Sequence, residues 1–266
     1  MKRLLPMLLA AAGMAQAADK PLWEAGIGVG GLSLPHYRGS DERQSWLLPV
    51  PLFVYRGAIF KADRDGARAV LLDTERVEFD LSAAATAPAD SGDNRARDGM
   101  PDLPGTLELG PKLNTTLARG AGWKLDLRLP LRAAFSLDRD VRHLGWTFAP
   151  VLNLDQRFGD VNLGVSAGPL WGDRRWHRVF YDVAPAYATA TRPAYASRGG
   201  YAGWQGTLAL SRRSGGTWMG AFVRADSVAG AVLEASPLVT SRRQWSFGFA
   251  VSWVLATSDM RVSVDD

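Results

Sequence analysis

The chain of 266 residues carries 31 basic and 27 acidic side chains, so its formal net charge is +4 at pH 7. So small an excess lacks the concentrated positive charge of a nucleic-acid binder. The absence of cysteine excludes disulfide bonds and a thiol for lipid attachment. Hydrophobic residues make up 47% of the chain. After the N-terminal 17 residues, however, no segment comes close to the run of about 18 apolar residues that a transmembrane helix needs.

Residues 1–17 have the pattern of a secretory signal peptide. Two basic residues are followed by a short apolar stretch, which ends in the small residues of Ala15-Gln16-Ala17. We predict cleavage after Ala17 or Ala18. The remaining residues 18–266 are predicted to form one domain with a short C-terminal tail at 256–266.

Residues 123–135 show the clearest structural pattern in the chain. Every odd position is apolar, and the even positions are mostly charged. A period of two predicts a strand with one apolar and one polar face. This run is longer than an ordinary strand, which has about 5–6 residues. It is long enough for a tilted membrane strand of about 9–11 residues. Similar runs occur at 107–117, 146–158 and 245–255.

Short and long connections alternate between these runs. The short ones fall at 56–57, 74–76, 119–122, 159–160 and 213–216. The long ones fall at 35–44, 63–66, 88–104, 136–144, 172–199 and 227–242. This arrangement is typical of an outer-membrane barrel. It predicts a closed antiparallel transmembrane β-barrel of about twelve strands, or ten if the short segments near 56–76 are not strands, with both termini periplasmic.

Two motifs suggest catalysis, and we reject both. Residues 26–31 fit the glycine-rich dinucleotide fingerprint, but no helix follows to hold a pyrophosphate. Residues 164–168 fit the serine nucleophile elbow, which requires a sharp strand-to-helix turn. Ser166 instead lies inside an alternating run, which predicts an ordinary hydroxyl facing the lumen.

The three histidines are His36, His143 and His177, and all lie in predicted loops. No pair has the spacing of metal ligands, so we interpret them as surface residues. We therefore predict no catalytic residue, no cofactor and no metal site.

The polar faces of the predicted strands carry charges of both signs. These candidate lumen-lining residues are Glu108, Lys112, Lys124, Asp126, Arg128, Arg132, Asp155 and Arg157. In a narrow barrel they can pair and fill the lumen, which we favour. The alternative is that they line a water-filled pore and bias the passage of ions.

The loop at 172–199 begins with an unusual basic and aromatic cluster. Its candidate anion-binding residues are Arg174, Arg175, His177 and Arg178. Arginine pairs well with phosphate, so the cluster can contact phosphates of outer-membrane lipid. A simple solvated loop explains it equally well.

Five short segments, in this order, resemble the MipA/OmpV family of MltA-interacting proteins. They are Pro-His-Tyr-Arg-Gly-Ser-Asp at 35–41, Pro-Val-Pro-Leu-Phe-Val-Tyr-Arg-Gly at 49–57, Leu-Pro-Gly-Thr-Leu-Glu-Leu-Gly at 103–110, residues 187–195 with the following Gly199-Gly200, and Ser-Pro-Leu-Val at 236–239. Together they extend over nearly the whole mature chain.

This resemblance implies an outer-membrane barrel that acts as a scaffold. Its partners would be a murein-degrading lytic transglycosylase and a bifunctional penicillin-binding protein that synthesises murein. The family defines no catalytic residues, and some members are treated as porin-like. A non-enzymatic scaffold is therefore the first hypothesis and a small-solute channel the second. A lipid hydrolase that uses Ser166 is the third.

Overall fold

The alternating segments of the sequence form the strands of an antiparallel barrel. The computed structural model describes residues 18–63 and 66–264, so the predicted signal peptide lies outside the described residues. In chain order the strands are β1 (Ala18–Pro21), β2 (Trp23–Pro35), β3 (Arg43–Arg56), β4 (Phe60–Asp63), β5 (Gly66–Asp73), β6 (Val77–Thr86), β7 (Thr106–Gly120), β8 (Trp123–Ser136), β9 (His143–Phe148), β10 (Val151–Phe158), β11 (Val161–Gly172), β12 (Gly200–Ser214), β13 (Thr217–Ser227), β14 (Arg243–Thr257) and β15 (Arg261–Val264).

The sheet closes because β14 pairs with β2, and each wall strand pairs with its neighbours on both sides. β9 and β10 follow one another along the same two neighbours, β8 and β11, and together form one wall strand interrupted at Ala149 and Pro150. The wall therefore has twelve strands, which confirms the prediction and makes the alternative of ten wrong. β1 and β15 pair outside the wall as a separate ribbon.

All eleven predicted connections join neighbouring wall strands. The short ones lie at one end, called here the turn end, and five of the six long ones lie at the opposite loop end. The prediction of a long connection at 63–66 was wrong, because Asp63 of β4 is paired directly with Gly66 of β5, and this link lies only one four-residue strand away from the turn end. The wall begins and ends at the turn end, because β2 begins opposite Tyr55 and β14 ends opposite Glu24. Ala256 and Thr257 of the predicted tail still belong to β14, and Arg261–Val264 form β15. None of the helices within the described residues is long and apolar enough to cross a membrane.

One face of the wall is apolar and exposed around the barrel. Val165, Leu208, Val223 and Phe247 form a row across four neighbouring strands, each directly opposite the next. Tryptophans lie near the strand ends at the two rims, among them Trp146, Trp171, Trp204 and Trp245 at the loop end and Trp123 and Trp253 at the turn end. An apolar band between aromatic rims is the surface that a transmembrane barrel presents to lipid.

The long loops pack together over the loop end. The 173–199 connection contains a helix, α1 (Arg174–Tyr181), followed by a short 3₁₀ turn (Pro185–Tyr187). Asp173 caps α1, since its Oδ1 accepts the N–H of Trp176 at 2.7 Å. Apolar residues from four loops are buried with the inner side of α1 in one cluster: Tyr37, Ala89, Leu103, Val183, Val228, Leu233 and Leu238.

Candidate functional site

The predicted lumen-lining residues lie on the polar face of neighbouring strands. Lys124 of β8 is directly opposite Asp155 of β10, and Lys112 of β7 is directly opposite Asp80 of β6. Lys112 and Asp80 form an ion pair at 3.2 Å, and both side chains are buried. Arg128 pairs with Asp155 at 3.3 Å. Opposite charges therefore meet on the inside of the wall.

The remaining predicted residues belong to the same polar face. Asp126 accepts the hydroxyl of Thr116 at 3.0 Å and pairs with Lys124 at 3.2 Å. Glu108 accepts the hydroxyl of Thr147 at 3.1 Å, and Arg132 donates to Ser82 at 3.2 Å. Arg157, the last of the predicted residues, lies on the same face of β10 as Asn153 and Asp155. It is directly opposite Asn162 at the turn end.

Glu24 shows that this polar face points into the barrel. Its carboxylate binds Arg56 at 2.5 Å and Arg213 at 2.6 Å, and Glu24 itself is 1% exposed. Arg213 belongs to β12, which is not a neighbour of β2, so this contact crosses the interior. Sequence reasoning missed the cluster, because residues so distant in the chain share no local pattern.

A second cluster links the loop end to the wall. Asp226 of β13 binds both Arg38, from the 36–42 connection, and Arg224. The hydroxyl of Tyr181 in α1 donates to the backbone carbonyl of Arg38 at 2.9 Å. One loop is thus held by a wall strand and by the helix at the same point.

Part of the inner wall is apolar instead of charged. Val54 and Val50 of β3 lie opposite Glu24 and Gly28 of β2, so they share the inward face of Glu24. The same register continues into β14 and β13. We call this inward surface the luminal apolar strip; its members are Gly26, Gly28, Gly30, Leu32, Trp46, Leu48, Val50, Leu52, Val54, Trp218, Phe222, Gly248 and Ala250.

The loop arginines and His177 lie on opposite faces of α1. Arg174, Arg175 and Arg178 are exposed and line a pocket of about 490 Å³. His177 is 0% exposed, and its Nδ1 lies 2.5 Å from the backbone carbonyl of Arg198. Burial lowers the pKa of His177. His177 therefore does not line the pocket formed by the three arginines.

The interpretation of the histidines as surface residues was wrong for two of the three. His36 is buried, and its Nδ1 lies 3.1 Å from the side-chain nitrogen of Asn94. His177 is buried within the loop cluster. His143 begins β9 and is partly exposed. The described residues contain no group of three side chains suited to holding a metal ion.

The two rejected motifs lie in extended strands. Gly26, Gly28 and Gly30 belong to β2, and β3 follows without a helix. Ser166 lies in the middle of β11, directly opposite Asn153 and Thr207. It has the position of an inward-facing strand hydroxyl and not that of a nucleophile elbow.

Comparison with known proteins identifies a family. The family model described as "MltA-interacting protein MipA" matches residues 27–255. A search of curated proteins finds no match. Among solved structures, the COG4313 outer membrane channel from Pseudomonas putida F1 is 11% identical with a TM-score of 0.44, covering 92% of this chain and 100% of that chain. The NanC porin is 9% identical with a TM-score of 0.39, covering 86% and 100%. Neither likeness is close enough to indicate what this barrel does.

Proposed function

Because the chain belongs to the family of MltA-interacting protein MipA, we propose that it is a non-enzymatic outer-membrane scaffold that binds a lytic transglycosylase. The match over residues 27–255 is the observation that carries this proposal, since it covers nearly the whole barrel. The proposal extends to a bifunctional penicillin-binding protein as the second partner. It places the turn end in the periplasm, where murein enzymes work.

The turn end offers a suitable docking surface. It carries the β1–β15 ribbon and a rim of exposed charges of both signs, including Glu75, Arg119, Asp160 and Arg212. A rim of this kind steers a charged partner and fixes its orientation more than it adds affinity. The loop end is covered by the packed loop cluster, and much of the polar lumen is occupied by ion pairs. These features favour a role for the turn end over a role for the lumen.

A pull-down with purified partners tests the scaffold. The barrel in detergent is mixed with an MltA-type transglycosylase and, separately, with a bifunctional penicillin-binding protein. We expect capture of the transglycosylase, weakened by the double charge reversal Arg119→Glu and Arg212→Glu at the turn end. The matched control is Arg175→Glu with Arg178→Glu at the loop end, which should leave capture unchanged. If the barrel captures neither of the two enzymes, the scaffold proposal is refuted.

A small-solute channel is the second candidate. It is favoured by the partial solvent exposure of Arg128 and Asp155, each 21% exposed inside the barrel. Conductance across a planar bilayer measures it directly. A channel predicts ion current whose selectivity changes in Arg128→Glu or Arg132→Glu. If the correctly folded barrel carries no ion current, the channel is refuted and the scaffold is the one candidate of the two that is left.

A further inference from the structure

The wall of the barrel is incomplete between β3 and β6. β3 pairs with β2 from Arg43 to Tyr55, but it pairs with β4 only at Tyr55 and Arg56. On the other side, β6 pairs with β7 up to Thr86 but with β5 only up to Ser82. The facing edges of β3 above Tyr55 and of β6 above Ser82 therefore have no strand partner within residues 18–63 and 66–264. We call this interruption the ladder gap.

Two prolines on β3 face the ladder gap. The N–H of Arg56 donates to the carbonyl of Leu22, at the β2 side, so even-numbered amides of β3 point toward β2. The odd-numbered positions, which include Pro49 and Pro51, are oriented toward the gap. Proline has no N–H to offer an added strand and is typical of edges that must stay unpaired. The gap is therefore poorly suited to a strand from another chain.

Apolar surface lies on both sides of the ladder gap. On the outside, Phe53, Phe60 and Leu81 contribute to a pocket of about 360 Å³ at the foot of the gap. On the inside, β3 carries one edge of the luminal apolar strip, from Trp46 to Val54. An apolar path thus runs from the bilayer side of the wall into the lumen.

The charged residues near the pocket are paired with one another. Lys61 binds Asp73 at 3.0 Å, and Arg68 binds Asp63 at 2.8 Å. Glu78 lies 3.8 Å from Lys61 and 3.5 Å from Arg68. With the cations engaged in this way, the surface is suited to hydrocarbon and not to a charged head group.

We propose that an acyl chain of an outer-membrane lipid enters through the ladder gap and lies against the luminal apolar strip. A hydrocarbon chain needs no hydrogen bonds, and it removes from water the apolar side chains that line this part of the lumen. The glycines of the strip have no side chain, so they leave space for such a chain against the wall. A Cβ added at Gly28 would lie 2.2 Å from the hydroxyl of Ser252, and one at Gly30 would lie 2.8 Å from a methyl of Val50. This inference is independent of the proposed scaffold.

Photochemical labelling tests the inference. The barrel is reconstituted in nanodiscs that contain phosphatidylethanolamine with a diazirine at the end of one acyl chain. After illumination, adducts are mapped by mass spectrometry. We expect adducts on the inward residues Val50 and Leu52 as well as on the outward residue Phe53. The inward residues Thr207 and Ser211 of β12, on the polar side of the lumen, should remain unlabelled.

Two outcomes of the unaltered protein would overturn the proposal. Adducts only on outward residues would show that chains stay outside the wall. Equal labelling of Val50 and Ser211 would show that the probe enters the lumen without preference for the strip. The variant Leu52→Asp should lower the inward adducts about tenfold, because hydrocarbon excludes a charged side chain. The matched control Ser211→Asp should leave them unchanged, and unchanged adducts in Leu52→Asp would also contradict the proposal.

Discussion

Replacing Glu24 by glutamine should loosen the turn end of the barrel more than any exposed charge change does. Glu24 holds guanidinium groups from β3 and β12, and Arg56 also donates to the carbonyl of Pro21 at 2.8 Å. Glutamine keeps the shape of the side chain but removes its charge. Its amide also places an N–H donor against a guanidinium donor. Both arginines then lose their acidic partner.

The size of the effect follows from burial. Removing one partner of a fully buried ion pair typically costs about 3–5 kcal/mol. Arg56 is 16% exposed, but Arg213 is 45% exposed, so water compensates part of the loss there. We therefore expect Glu24→Gln to lower the free energy of unfolding by about 2–3 kcal/mol.

Urea unfolding of the barrel in phospholipid vesicles measures this loss. The control is Asp160→Asn, which breaks the ion pair of Asp160 with Arg212 at 2.6 Å, where both side chains are about half exposed. That change should cost about 0.5 kcal/mol or less. If Glu24→Gln costs no more than the control, the interior cluster is fully solvated and does not hold β2, β3 and β12 together.

Three further predictions concern the loop end. Gly145→Ala should undock α1 and raise proteolysis of the 173–199 connection, because the added Cβ would lie 2.4 Å from the backbone nitrogen of residue 176; Gly159→Ala, with open space at its Cβ, should not. Acidification below the ordinary His pKa of 6.5 should lower the amide protection factors of the same connection, taken relative to the intrinsic exchange rates at each pH, because burial lowers the pKa of His177 and the unfolded form binds the proton first; His177→Phe should remove this loss of protection. The double variant Arg175→Glu with Arg178→Glu should bind vesicles of phosphorylated lipid A more weakly than the unaltered protein does, but vesicles of dephosphorylated lipid A equally well. If the two proteins bind phosphorylated lipid A equally, the phosphate site is refuted.

Much of the fold was predictable because a barrel strand has a simple local signature. Alternation identified both the strands and their lipid-facing sides, and the short turns identified the end at which the wall begins and ends. Helix α1 was missed, although its signal was present. Asp173 is a suitable N-cap, and the buried residues Trp176 and Phe180 are four positions apart. The arginine-rich composition of the loop predicts a site for anions and does not by itself predict a helix.

The burial of His36 and the Glu24 cluster could not have been predicted in the same way. His36 is buried because it meets Asn94 of another loop, and Glu24 meets an arginine 189 residues away in the chain. Such contacts depend on how the ring of strands closes and how its loops fold over the end. Neither of these leaves a periodic trace in a single sequence.

β3 shows where the alternation rule has a further meaning. Leu47 and Phe53 face lipid and are 72% and 58% exposed, while the inward positions from Trp46 to Val54 are apolar as well. A strand that is apolar on both faces normally lies buried between two layers of a protein. Here one face meets lipid and the other meets the lumen, and the edge of the strand toward β4 is mostly unpaired. The described residues cover the inward face of β3 only in part, since Leu48 is 44% exposed, and a hydrocarbon chain from the bilayer would complete the cover by the shortest route.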